Sequence, residues 1–145
     1  MAVMVTLSYP DELIRRVLNN TRTIAVVGAS ANPARPSFNV MRWLIGRGYS
    51  VVAVNPGLSG SLLGAPVYPD LKSVSEPIDM VDVFRNSEAA GAVVDEALGL
   101  PVLPKVIWMQ LGVVNPEAAR RAEQREVTVI MDRCPVIEAG RLTGM

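Results

Sequence analysis

The chain has 145 residues, equal numbers of acidic and basic side chains, and a composition that is 50% apolar, which is too apolar for disorder and long enough to close a core without a disulfide or metal staple. A formal charge of zero, with the charges scattered, lacks the basic stripe of a nucleic-acid binder. The absence of histidine removes Ser-His-Asp and Cys-His catalysis and His-ligated metal sites.

The single cysteine, Cys134, excludes an internal disulfide and suits a reducing cytoplasm. Residues 1–10 show no basic n-region and no apolar run of signal-peptide length. No apolar run approaches the roughly 18 residues that a membrane span needs. The expectation is one domain over residues 1–145, with its core over about 20–135.

A short helix opens at Pro10, with acids in its first turn and Leu13, Ile14, Val17 and Leu18 on one face. The first strand, 23–27, is an unbroken apolar run into Gly28, as suits a strand buried on both faces of a parallel sheet. A loop stiffened by Pro33 and Pro36 leads to a helix from Pro36 or Ser37 to Arg47, with Phe38, Met41 and Ile45 on one stripe. A second strand covers 49–54 and stops at Asn55-Pro56-Gly57. Residues 58–69 are Gly/Ser-rich and predict a loop with a short extended piece near Val67-Tyr68.

A third strand covers 78–84, and Ser87 is placed to cap the next helix. In that helix Ala90, Val93, Val94, Ala97 and Leu98 keep helical spacing until Gly99 and Pro101 close it. Strand four covers 105–110. A helix follows from Asn115-Pro116-Glu117 to about Arg125, then strand five at 127–131, then Asp132-Arg133-Cys134-Pro135 and a short irregular tail.

Strands alternating with helices predict a single-domain, doubly wound α/β fold on a parallel sheet of about five strands. Ligands of such sheets bind outside the carboxyl ends of the strands. That rule gathers Gly28-Ala29-Ser30, Asn55-Pro56, Phe84-Arg85, Gln110-Leu111-Gly112 and Asp132-Arg133-Cys134 along one edge. Gly28 and Ser30 near a helix start form a natural phosphate seat. A dinucleotide fits poorly. The sequence after Gly28 is not G-x-G-x-x-G, and strand two ends in Val54-Asn55-Pro56 without the acid that would hold a ribose 2′-OH.

Val27-Gly28-Ala29-Ser30 with Pro33, Arg35 and Ser37, then Gly48-Tyr49 and Val51, Val54-Asn55-Pro56, Val81 to Arg85, Ile107 to Gly112 and Asp132-Arg133-Cys134-Pro135 occur in order over about residues 15–142. In this series the chain resembles the stand-alone CoA-binding proteins, which are similar to the N-terminal CoA-binding domain of the succinyl-CoA synthetase alpha subunit. The resemblance implies a Rossmann-like fold holding coenzyme A at the strand ends. It implies that Gly28, Ala29, Ser30 and the Arg35–Ser37 loop hold phosphates. Asn55 and Pro56 would flank the adenosine, and Phe84, Arg85, Met109 and Gln110 would lie along the pantetheine or nucleotide. Arg35 and Arg85 suit the pyrophosphate and 3′-phosphate on charge grounds alone. The synthetase's phosphorylated histidine has no counterpart here, so ligase activity does not carry over.

The expected function is therefore binding of coenzyme A or an acyl-CoA, with no catalytic residue, no metal, and no nucleic-acid or membrane partner. Two alternatives stand beside it. One is a small acyl-CoA-using transferase or hydrolase, for which only Cys134, Asp132 and Glu138 offer a nucleophile or base. The other is a nicotinamide-nucleotide sensor. Trp108 and Met109 read as core residues inside a buried strand, and Cys134 as a half-buried thiol.

Overall fold

Apolar strands too hydrophobic to face water on either side set the architecture. The computed structural model describes residues 7–143. The ends of the expected domain, residues 1–6 and 144–145, and most of the stretch read for a leader lie outside them.

Helix α1 (Asp11–Asn20) precedes β1 (Thr23–Val27), α2 (Pro36–Gly46) and β2 (Ser50–Val54). A hairpin of β3 (Ser61–Leu62) and β4 (Ala65–Tyr68) follows, then a 3₁₀ turn (Leu71–Ser73) and β5 (Met80–Val83). The chain continues through α3 (Ser87–Leu98), β6 (Val106–Met109), α4 (Pro116–Glu123), β7 (Thr128–Ile130) and α5 (Pro135–Thr143). The strands form one sheet in the order β3-β4-β2-β1-β5-β6-β7. All pairings are parallel except β3 with β4.

Both faces of the sheet are covered, which is why the central strands read as continuous apolar runs. One layer packs α1, α2 and α5 on Ile24, Val26, Ala53, Met80, Trp108 and Ile130. The other packs α3 and α4 on Ala25, Val27, Val52, Val81, Val83 and Ile107. Trp108 and Met109 are fully buried, as expected of core residues. At the amino ends of the strands Asp79 accepts the N–H groups of Arg22 and Thr23 at 2.9 and 3.0 Å and pairs with Lys105 at 3.5 Å. Among the described residues, no helix is long and apolar enough to cross a membrane.

The doubly wound parallel sheet is as expected, but it has seven strands and not five. The expected 58–69 loop contains the β3–β4 hairpin. Its tight turn places Leu63 and Gly64 at positive φ (52° and 82°), the primed-turn geometry that suits strand twist. The expected irregular tail is α5. Pro135 starts it, and the amide of Glu138 donates to the Cys134 carbonyl at 3.0 Å. Ala139 packs into the core, and Arg141 pairs with Glu138 within the helix and ties it to Asp11 of α1. The cap of α3 is Asn86, whose Oδ1 accepts from the Ala89 amide at 2.8 Å. Ser87 instead begins the helix, and its hydroxyl accepts from the Val114 amide at 2.9 Å.

Candidate ligand-binding site

The sheet reverses direction of growth between β1 and β5, since β2 and β4 add to one side of β1 and β6 and β7 add beyond β5. The loops leaving β1 and β5 therefore separate there and open a cleft at the carboxyl edge.

Gly28 makes the close approach possible. Its amide donates to the Val54 carbonyl at 3.0 Å, and its φ is 90°. A Cβ at this position would stand 2.7 Å from the Phe84 carbonyl oxygen, so only glycine lets the two strand ends converge. Asn55 fixes the neighbouring wall: its Nδ2 donates to the Ala29 carbonyl at 2.7 Å, and its Oδ1 accepts from the Gly57 amide at 2.7 Å.

The 29–36 loop is held by short-range hydrogen bonds. Ser30 Oγ accepts from the Asn32 amide, Asn32 Oδ1 from the Ala34 amide, each at 3.0 Å, and Asn39 Nδ2 donates to the Pro33 carbonyl at 3.1 Å. The loop delivers Arg35, Pro36 and Ser37 to the rim of the cleft. No side chain caps α2; Pro36 brings no N–H and the Phe38 amide donates to the Arg35 carbonyl at 3.1 Å, so at the positive end of this 11-residue helix it is Ser37 that presents the first amide to the cleft. Arg35 and Arg85 line the same cleft, and neither forms an ion pair with any described acid. Two unpaired guanidinium groups beside an uncapped helix start form an anion-attracting wall.

The cleft has a volume of about 490 Å³. A second cleft of about 580 Å³ lies towards α3 and shares Gly28, Asn55 and Arg85 with the first. Nine of the eleven residues singled out in the sequence line the first cleft: Gly28, Ala29, Ser30, Arg35, Ser37, Asn55, Phe84, Arg85 and Gln110. Pro56 lines only the second. Met109 lines neither, because it is fully buried with its side chain in the α3/α4 core. Pro36, Leu111 and Val113 complete the first cleft. Leu111 is 54% exposed, an apolar wall at the mouth of a polar site.

The second cleft was not evident in the sequence as a site. Of its wall from α3 (Ala89, Ala92, Val93 and Glu96), only Val93 belongs to the apolar face read from the sequence. Asp70 also lines it, but its Oδ1 already accepts from the Ser73 amide at 2.9 Å and from the Ser73 hydroxyl, as the cap of the 3₁₀ turn.

The other strand-end loops are locked. Asp132, at φ 58°, accepts from the Gly112 amide at 2.8 Å, and the Trp108 indole donates to the Arg133 carbonyl at 2.9 Å. The Met131 amide donates to the Tyr9 hydroxyl at 2.8 Å, and the Arg133 guanidinium packs on the Tyr9 ring and donates to the Leu7 carbonyl. Cys134 is buried just before α5.

The model of the CoA binding domain family matches residues 22–140, which takes in the whole sheet and every cleft-lining residue. The chain belongs to the CoA-binding domain family. A Bacillus subtilis protein, uncharacterized protein YneT, is 39% identical over 121 residues, 83% of this chain and 87% of its own length. A hypothetical protein from Pyrococcus horikoshii superposes with a TM-score of 0.89 at 32% identity, covering 99% of both chains. A Thermus thermophilus protein superposes with a TM-score of 0.86 at 36% identity, covering 92% of this chain and 99% of its own. The family match agrees with the resemblance carried by the strand-end motifs, and this CoA-binding domain is what the two clefts belong to.

Proposed function

We propose that the protein binds coenzyme A or an acyl-CoA across the two clefts and carries out no chemistry on it. The observation that carries this reading is the pair of unpaired guanidinium groups, Arg35 and Arg85, beside the uncapped start of α2. Coenzyme A brings a pyrophosphate and a 3′-phosphate to a protein that is neutral overall, so the local excess of positive charge is what selects it. The first cleft seats phosphates at Gly28, Ala29, Ser30, Arg35 and Ser37. Asn55 and Pro56 flank the adenosine. Arg85 stands on the wall the two clefts share, Phe84 and Gln110 follow the ligand within the first, and Met109 supports them from the core.

The groups an enzyme would need are engaged elsewhere. Glu138 is paired with Arg141 at 3.0 Å, Asp132 accepts the Gly112 amide, and Cys134 is buried with no base bonded to it among the described residues. The nicotinamide reading needs a free carboxylate for a ribose. That carboxylate would have to follow strand two directly, and β2 runs into Asn55-Pro56-Gly57 with none there.

Titration calorimetry tests the assignment. Coenzyme A should bind more tightly than dephospho-CoA by about ten- to a hundredfold, the value of one charge-assisted phosphate contact, and more tightly than NAD. Equal or tighter binding of NAD overturns it. Incubation with acetyl-CoA should release no free thiol beyond the buffer rate; turnover there would establish the enzyme instead.

A further inference from the structure

Two buried polar side chains beside the first cleft have no partner. Asp82 is fully buried in the middle of β5, and neither of its carboxyl oxygens meets a donor. Gln110 lines the cleft, is only 7% exposed, and its Oε1 is buried without a donor.

The sheet brings the two together. Asp82 stands opposite Trp108 in the β5–β6 register. Gln110 lies two residues further along, and its amide still donates to the Val83 carbonyl at 3.2 Å, so the ladder continues past β6. Side chains alternate along a strand, so Asp82, Trp108 and Gln110 share one face. That face is the α1/α2/α5 side, where Met80 and Trp108 pack, while Val81, Val83 and Met109 pack on the other. Asp82 and Gln110 are thus diagonal neighbours on adjacent parallel strands, with Cα atoms about 8 Å apart from the strand spacing and rise, within the joint reach of the two side chains.

All three orphaned oxygens are acceptors unless one carries a proton, and only the carboxyl can. The in-register neighbours Val26 and Trp108 supply no donor to Asp82. Burial also pushes the Asp82 carboxyl well above the usual carboxylate range, in keeping with a neutral group. The buried atom of the Gln110 amide is its oxygen, which leaves the NH₂ as the half available to the cleft.

We propose that Asp82 is a positioning residue: its protonated carboxyl donates a hydrogen bond to Gln110 Oε1 and so holds the Gln110 NH₂ towards the cleft, where it donates to an amide or thioester carbonyl of the ligand. The ligand half of this rests on the coenzyme A reading; the pairing half does not.

Nuclear magnetic resonance of the ligand-free protein decides the pairing. With carbon-13 at aspartate Cγ, the Asp82 resonance should hold the protonated position at neutral pH. Asp82→Val should shift the Gln110 side-chain NH₂ signals, and Asp82→Asn, which keeps a donor, should shift them much less. An ionised Asp82, or a Gln110 amide indifferent to Asp82→Val, overturns the pairing whatever the ligand does. Calorimetry with coenzyme A decides the rest. Gln110→Leu and Asp82→Val should each weaken binding by about two- to tenfold, and the double variant should bind no worse than Gln110→Leu alone. Asp82→Asn should bind like the wild type. Additive losses, or an Asp82→Asn as weak as Asp82→Val, overturn the positioning role. A wild-type protein that binds no coenzyme A overturns the ligand reading and the role of Gln110 towards it, and the resonance data still decide the pairing.

Discussion

Replacing Asp82 by asparagine isolates the effect of one proton on the stability of the whole fold. Folded, the carboxyl is held well above its usual range by burial alone. Unfolded, it titrates near its ordinary value of about 3.9. Below that pH both states carry the proton and stability is intact. Above it the unfolded chain releases the proton while the folded chain keeps it, so stability falls as pH rises and levels off only at the raised folded value. The slope is about 1.4 kcal/mol per pH unit. From pH 5 upward, each pH unit through which the folded chain keeps its proton lowers Tm by about 3–6 °C for a chain near this length. Asparagine has no such proton. Urea unfolding of wild type and Asp82→Asn across that range should therefore show the variant gaining on the wild type at this slope, the subtraction cancelling every other carboxylate. Two stability profiles that remain parallel would refute a neutral, buried Asp82.

Asp79 should act on the acid side. Burial raises its pKa, but the amides of Thr23 and Arg22 and the Lys105 ammonium outweigh that and hold it below the usual value. Its contribution is present above about pH 4 and lost as pH falls through the lowered pKa, so Asp79→Asn should flatten the acid limb of a stability–pH curve. Arg35→Ala should weaken coenzyme A by about ten- to a hundredfold in calorimetry, with a smaller dependence on salt than the wild type. Gly28→Ala should lower stability by about 1–3 kcal/mol from the backbone conformation alone, with more from the 2.7 Å approach to Phe84, read as a drop in Tm and lost ligand binding. Tyr9→Phe strands the Met131 amide and should cost about 1–3 kcal/mol in urea unfolding.

The apolar runs and glycine stops made the central sheet legible, because strands buried on both faces need side chains that are hydrophobic throughout. β1 matches to the residue. The β3–β4 hairpin was not legible because Leu63 occupies a left-handed turn position where asparagine or aspartate would have signalled it. Helix α5 was hidden by its thin apolar stripe of Val136, Ala139 and Leu142, broken by Gly140; its docking against α1 and α2 supplies what its own sequence lacks. At the site, the strand-end rule found the residues that leave the sheet edge. It did not reach the α3 wall of the second cleft, since Ala89, Ala92, Val93 and Glu96 lie inside a helix and not at a strand end, and it also gathered Gly112, Asp132, Arg133 and Cys134, which line neither cleft; Met109, implied by the resemblance alone, turns its side chain into the interior. The strand over 78–84 carries Asp82 between Val81 and Val83. A carboxylate in such a run is a signal in itself, for it must either find a partner or give up its charge.

The amide of Asn55 bonds Ala29 on one side and Gly57 on the other, so the two walls it joins are already set at their working separation. A ligand arriving there meets a mould and has little chain left to order, which lowers the entropic cost of capture. Arrival should then be a single kinetic step, its observed rate linear in ligand concentration with no plateau, and slowed chiefly by salt.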